Sequence, residues 1–247
     1  MSPLPIKKSH GAFPDRIHIV GIDLAWGERR PDGVCVLEVD RREAQVRAIG
    51  LSQGDDELLA FVEANVGRGP AFIAVDAPIV CRNQTGARPV DRLTHVHFGR
   101  FKSGCHPANL GLCPRPPRVA DRLVQNGFEI GVAGRRVVAE VYPHPAMVRL
   151  FGLSERIPYK RGPVDARRRE FQRLQAKLRG CLRDHFPALR VSPGVAGLLR
   201  MPWTKDVEDQ TDAFFCALIG YWHWLHLGQR TETLGDLVTG FILVPRP

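Results

Sequence analysis

Four acidic residues of the chain sit in apolar surroundings, where a carboxylate is costly. Asp23 lies in Ile17-His18-Ile19-Val20-Gly21-Ile22-Asp23-Leu24-Ala25-Trp26, and Asp76 follows Ala71-Phe72-Ile73-Ala74-Val75. Glu140 interrupts Val137-Val138-Ala139-Glu140-Val141-Tyr142. Asp212 opens Asp212-Ala213-Phe214-Phe215-Cys216-Ala217-Leu218-Ile219, with Asp209 one turn before it. Carboxylates are almost never fully buried without a partner. Brought together, they need a cation or shared protons. Their hard oxygens suit Mg²⁺ or Mn²⁺. The chemistry this points to is that of a metal-dependent acidic site. Asp209 and Asp212 are three apart on a predicted helix, so both can face one cleft. They also lie near its N-terminus, where the helix dipole favours negative charge.

Competing structural roles stand beside these. Asp209 could equally be an exposed first-turn acid or a helix cap. Glu140 could pair with an arginine of the segment that precedes it. His144, four residues after Glu140, could carry protons at the cleft edge, or be solvated or capping. Lys160, in Pro158-Tyr159-Lys160-Arg161-Gly162, could touch a phosphate or point to water. Arg88, Arg92, Arg100, Lys102, Arg115 and Arg118 make the stretch around them basic, with His97, Phe98 and Phe101 interleaved. Basic groups beside aromatics suit a nucleic-acid strand, by phosphate contact plus base stacking. A solvated loop with its aromatics packed on the domain explains the same residues.

The elements that must position these groups follow from periodicity. A strand is predicted over 17–26, followed by strands over 34–39 and 44–49 joined by a turn near Asp40-Arg41-Arg42, which reads as an antiparallel meander. A helix over 55–66 and an almost wholly apolar strand over 71–76 complete a parallel crossover. Residues 79–135 are rich in Pro, Gly, Arg and His and read as an insertion with short helices near 89–100 and 118–127. A strand over 136–142, a short helix over 144–151 and amphipathic helices over 165–185 and 206–227 follow, and the apolar 240–245 closes the chain. The basic face of the helix 165–185, with Arg167, Arg168, Arg169 and Arg173, reads as a solvated one. This order gives an α/β fold with a five-stranded mixed sheet, order 3-2-1-4-5, flanked by helices. Asp23 and Asp76 then meet at the carboxyl ends of adjacent parallel strands, the edge where open α/β sheets place their sites.

The bulk numbers bound the rest. With 247 residues, the chain fits a flexible leader over 1–15 and one domain over 16–247 carrying the insertion. A net charge of +9 favours polyanionic partners, nucleic acid first. A generally solvated basic surface is the alternative. No apolar stretch is long enough to span a bilayer, and the N-terminal residues lack the apolar core of a signal peptide. A cytoplasmic protein with reduced thiols is expected. Six cysteines form no C-x-x-C pair, and the spacings of His95, His97, Cys105, His106 and Cys113 match no standard zinc signature.

The order of elements and acids resembles the ribonuclease H-like fold. More closely, the chain resembles the domain-of-unknown-function family numbered 429, described as predicted RNase H-like nucleases. The matching pieces are Gly21-Ile22-Asp23-Leu24-Ala25, Ala74-Val75-Asp76-Ala77-Pro78, Glu140-Val141-Tyr142-Pro143-His144-Pro145, Tyr159-Lys160, Asp209-Gln210-Thr211-Asp212-Ala213 and Gly240-Phe241-Ile242. The resemblance implies two divalent ions, Mg²⁺ or Mn²⁺, with Asp23 bridging them. Asp76 and Asp212 would flank it, and Asp209 or Glu140 would complete one coordination shell. Catalysis is then expected through Asp23, Asp76, Glu140 and Asp212, and by their charge and position Arg88, Arg92, Arg100, Lys102, His144 and Lys160 are the candidate groups for a nucleic-acid substrate. The function expected is phosphodiester hydrolysis of DNA or RNA. A non-catalytic nucleic-acid-binding protein on the same fold is the alternative. An ATP-dependent phosphotransferase of the actin and sugar-kinase group needs Gly-rich phosphate loops, and Trp26-Gly27-Glu28-Arg29-Arg30 offers one glycine there.

Overall fold

A computed structural model describes residues 13–247, so most of the expected leader lies outside the described residues. Strand β1 (Arg16–Asp23) buries Ile17, Ile19, Val20 and Ile22, alternating to both faces, as a strand covered on two sides must. It pairs antiparallel with β2 (Asp32–Asp40). That strand turns back into β3 (Ala44–Ser52), where the Asp40 side chain accepts from the Arg42 and Glu43 amides at 2.7 and 2.9 Å. Helix α1 (Gly54–Val66) carries the chain over to β4 (Ala71–Val75), which lies parallel to β1 with Ile22 opposite Val75.

The stretch that reads as an insertion holds α2 (Pro89–Phe98), a 3₁₀ turn over 99–101, α3 (Arg115–Gln125) and the two-residue strand β5 (Glu129–Ile130). Then come β6 (Arg136–Glu140), α4 (Pro143–Leu150), the long α5 (Val164–His185), the two-residue β7 (Leu189–Arg190), α6 (Pro193–Leu198) and α7 (Lys205–Leu225). A hairpin of β8 (Thr231–Asp236) and β9 (Gly240–Pro245) closes the chain.

The main sheet runs β5-β6-β4-β1-β2-β3-β7. It therefore has seven strands where the sequence predicts five. The two added strands are the two-residue pieces at its edges, too short to show an alternating pattern. The expected closing segment is likewise one strand of a separate hairpin.

Helix α7 lies flat across the sheet on β1, β2 and β4, and nearly every residue from Val207 to Trp224 is buried. Two glycines let it come this close. A Cβ on Gly21 would stand 2.1 Å from the Ala213 carbonyl oxygen, and one on Gly33 would stand 2.0 Å from the Asp209 carbonyl oxygen. Real Cβ atoms never approach backbone so closely, so only glycine fits at either place. No helix among the described residues is long and apolar enough to cross a membrane.

Candidate functional site

Parallel pairing and the glycine contacts together assemble the acids. Asp23 ends β1, and Asp76 follows β4 with its amide donating to the Ile22 carbonyl at 2.9 Å. Across the sheet Asp23 is paired with Gly33, the residue on which α7 rests at Asp209. The first turns of α7 thus bring Asp209 and Asp212 over the same strand ends. Asp23 and Asp76 are half-buried, while Asp209 and Asp212 are 4% and 0% exposed.

Each carboxyl has a definite neighbour. The side chains of Asp23 and Asp209 lie within hydrogen-bonding reach of each other, an arrangement that requires a shared proton or a cation. Lys205 Nζ is 2.6 Å from Asp209 Oδ1. Asp212 accepts from the Tyr159 hydroxyl at 2.8 Å through Oδ1. Its Oδ2 lies 2.7 Å from Lys160 Nζ, an ion pair whose alignment falls short of a hydrogen bond. Lys160, its side chain about a third exposed, also faces Asp23 and Asp76, and these carboxylates hold its ammonium well above the usual lysine range against the cost of burial.

The electrostatics follow from burial and crowding. Desolvation pushes Asp23 up to about 6; Lys160 opposes this and Asp209 adds to it. Asp212 is pushed up to about 6 by burial, with Lys160 pulling down and Asp23 pushing up. Asp76 is raised well above the carboxylate range by burial, again against Lys160 and reinforced by Asp23 and Asp212. Such strongly perturbed acids in a cleft mark a candidate functional site.

Two cavities meet at Asp23, Trp26 and Lys160. One, of about 390 Å³, is bounded by Asp76, Glu140, Tyr142, His144, Arg156 and Arg161. The other, of about 460 Å³, is bounded by Arg29, Arg30, Lys205 and Asp209. Both volumes fall in the ordinary range for ligand sites. Arginines thus stand on either side of the acids, Arg88, Arg156 and Arg161 in the first cavity and Arg29 and Arg30 in the second. His144 projects into the first cavity, edge-on to Tyr142 and Tyr159, with a buried Nδ1 that has no hydrogen-bond partner. Burial, then the neighbouring cations led by Lys160, push it down to about 3, so its imidazole is neutral at physiological pH.

Glu140 borders the cavity but is engaged from behind. Arg88, 2% exposed, grips its two oxygens at 2.8 and 2.7 Å and donates to Asp91 and to the Val80 carbonyl as well. Arg88 is thus an internal clamp and not a free phosphate contact. Burial still raises Glu140 to about 7 against the pull of that guanidinium. Arg115 has a similar internal role. It is 2% exposed, holds Asp32 at 2.8 and 2.6 Å, and donates to the Ala25 and Gly27 carbonyls. It thereby fixes the loop that leaves Asp23 and carries Trp26.

Arg92, Arg100 and Lys102 are exposed and lie outside the lining of either cavity. Arg100 stacks on Phe101 at 4.5 Å, Lys102 pairs with Glu155, and Phe98 is buried. Besides Lys160 and Arg88, the cleft is bordered by Arg156, Arg161, Arg29, Arg30 and Lys205, which lie in loops or at a helix start, where no periodicity singles them out. In the histidine and cysteine group, His95 Nε2 sits 2.9 Å from the Cys105 carbonyl and the Cys113 thiol donates to the Asn109 carbonyl at 3.1 Å.

Among the described residues no three His, Cys, Asp or Glu side chains surround a common point as ligands of a metal ion. Lys160 and Lys205 stand among these carboxylates, paired with Asp212 and Asp209. The donor set nonetheless fits Mg²⁺ or Mn²⁺ in its chemistry. It consists of carboxylate oxygens alone, although one of them, buried Asp212 Oδ2, already lies 2.7 Å from Lys160 Nζ.

Residues 21–236 match the family model described as "Protein of unknown function (DUF429)", and the chain belongs to that family. A comparison with curated proteins gives no match.

Proposed function

We propose that the chain is a metal-dependent hydrolase of phosphodiester bonds in nucleic acid, of ribonuclease H-like type, acting at Asp23, Asp76, Asp209 and Asp212. The observation that carries this reading is the convergence of Asp23, Asp76 and Asp209, from two parallel strand ends and one helix start, on a cleft with arginines on both sides, with Asp212 buried behind them. The neighbouring order β3-β2-β1-β4-β6 within the larger sheet supports the fold assignment. The excess of nine positive charges supports a polyanionic substrate.

A bound divalent ion would supply an activated water and charge neutralisation at the phosphate. Asp23 and Asp76 would hold it, with Asp209 and Asp212 beside them. The chain's own residues supply the remainder. Arg156 and Arg161 on one side of the acids, and Arg29 and Arg30 on the other, hold flanking phosphates. Trp26, between the two cavities, offers a face for a base. Neutral His144, which burial and the neighbouring cations keep unprotonated, stands at the edge of the first cavity as an uncharged hydrogen-bonding group. Arg88 keeps Glu140 in place and so shapes the cavity wall.

The test is a panel of labelled single-stranded and duplex DNA and RNA, with ATP alongside, each with and without Mn²⁺. Cleavage of a nucleic acid only with Mn²⁺ is the expected result. Binding without cleavage would favour a non-catalytic nucleic-acid-binding protein, and turnover of ATP alone would favour a phosphotransferase.

A further inference from the structure

A group of carboxylates needs positive charge, and this one already contains some. Tyr159 and Lys160, adjacent in the chain, take the two oxygens of Asp212 between them, at 2.8 and 2.7 Å. Asp212 is fully buried on a helix that the glycine contacts hold against the sheet, so this grip is part of the folded core and not a chance surface pair. Asp209 is taken by Lys205 and by Asp23. Glu140 spends both oxygens on Arg88. Among the described residues, Asp76 and Asp23 are the members of the acid group that form no ion pair, with Lys160 facing both. These two stand side by side at the ends of paired parallel strands. Two carboxylates can anchor one divalent ion. Two ions bridged in the usual way draw on three or more carboxylates, and here the third, Asp212, is already neutralised.

The geometry points to Lys160 as a resident cation that stands in for a second metal ion, so that the site takes one divalent ion, at Asp23 and Asp76, and not two. This rests on the metal-dependent reading proposed above. The ammonium is well suited to such a role. It is a compact point charge on a flexible stem, and its side chain is partly open to both cavities. It can therefore meet a phosphate oxygen while still paired with Asp212.

Mn²⁺ titration of the full chain by isothermal calorimetry, with electron paramagnetic resonance of the free ion as a second readout, tests the stoichiometry directly. The wild type should bind one Mn²⁺ per chain. Lys160→Met should bind two, because Asp212 is released as a ligand, and Lys160→Arg should stay at one because the charge is kept. Thermal melting of each variant checks that the fold survives, and the wild-type stoichiometry stands whatever the variants do. Two ions in the wild type, or one in a folded Lys160→Met, would overturn the resident-cation role while leaving a metal site in place. No Mn²⁺ bound by any of the three would overturn the metal-dependent reading itself, and this inference with it.

Discussion

Gly33 carries the weight of Asp209: a Cβ at position 33 would stand 2.0 Å from the Asp209 carbonyl oxygen, and Gly33 is also the pairing partner of Asp23 on the neighbouring strand. One residue without a side chain thus sets the spacing between the sheet's acid and the helix's acid. Gly33→Ala must push α7 off the sheet. Overpacking of this kind costs about 1–3 kcal/mol, and more where backbone is the obstacle. The melting temperature should fall by at least about 3–10 °C. Any stabilisation by Mn²⁺ should shrink as well, because the variant separates Asp209 and Asp212 from Asp23. A variant that melts like the wild type would show that α7 is not seated on this glycine.

The raised carboxyl of Asp23 makes stability depend on pH. Its folded value, about 6, lies above the ordinary 3.8, so the native state binds this proton more tightly than the unfolded chain does. Its favourable contribution is complete below about pH 4 and is lost as pH rises through about 6. Asp23→Asn removes that dependence. At pH 8 without metal, Asp23→Asn should be more stable than the wild type by on the order of 1–3 kcal/mol, and the difference should close as pH falls from 6 towards 4. Chemical denaturation across that range measures it. A difference independent of pH would mean that Asp23 is not the titrating group.

Arg88 is predicted to be a structural residue. Removing one member of a buried ion pair leaves the other uncompensated, at a cost of about 3–5 kcal/mol. Arg88→Met should therefore melt roughly 6–20 °C below the wild type. Combining it with Glu140→Met should restore part of the loss, since the stranded carboxylate is then gone. Urea denaturation of the single and double variants checks this. An Arg88→Met protein of unchanged stability would return Arg88 to the group of free phosphate contacts.

Much of the acidic group is legible in the sequence, and the reason is physical. A carboxylate in an apolar run has few ordinary explanations, so Asp23, Asp76 and Asp212 stand out. Glu140 stands out in the same way, and a partner among the arginines of the preceding segment is expected; that it is Arg88, 52 residues earlier in an aperiodic stretch, nothing in the spacing announces. Arg88 and Arg115 read as surface charge because arginine is usually exposed; only their contacts show them buried. Lys160 sits among Pro and Gly in a loop, so its place beside three aspartates is a product of folding that no local pattern encodes. The edge strands β5 and β7 are two residues each, below the length at which alternation can be seen.

Substrate binding should centre on the cleft and not on the 3₁₀ turn after α2. Removing one phosphate-binding cation flattens the dependence of affinity on salt by about one unit. Replacing Arg156 and Arg161 with Ala should weaken nucleic-acid binding and flatten that slope by up to about two units. Replacing Arg100 and Lys102 should change it less, because neither borders a cavity. Fluorescence anisotropy across a salt series compares the pairs. A larger effect from Arg100 and Lys102 would place the binding face on the exposed turn instead.

If the aspartates perform chemistry and do not merely bind, Asp76→Asn is the decisive variant. Asp76 is the acid without a cation of its own, and its amide pairing to Ile22 does not involve the side chain. Cleavage of labelled DNA and RNA by the wild type and by Asp76→Asn, with Mn²⁺, is read on gels beside their binding affinities. The expected result is cleavage by the wild type, and a fall in cleavage of at least about 100-fold in Asp76→Asn with affinity kept or improved. Cleavage retained at the wild-type rate in Asp76→Asn would contradict a catalytic role for these acids.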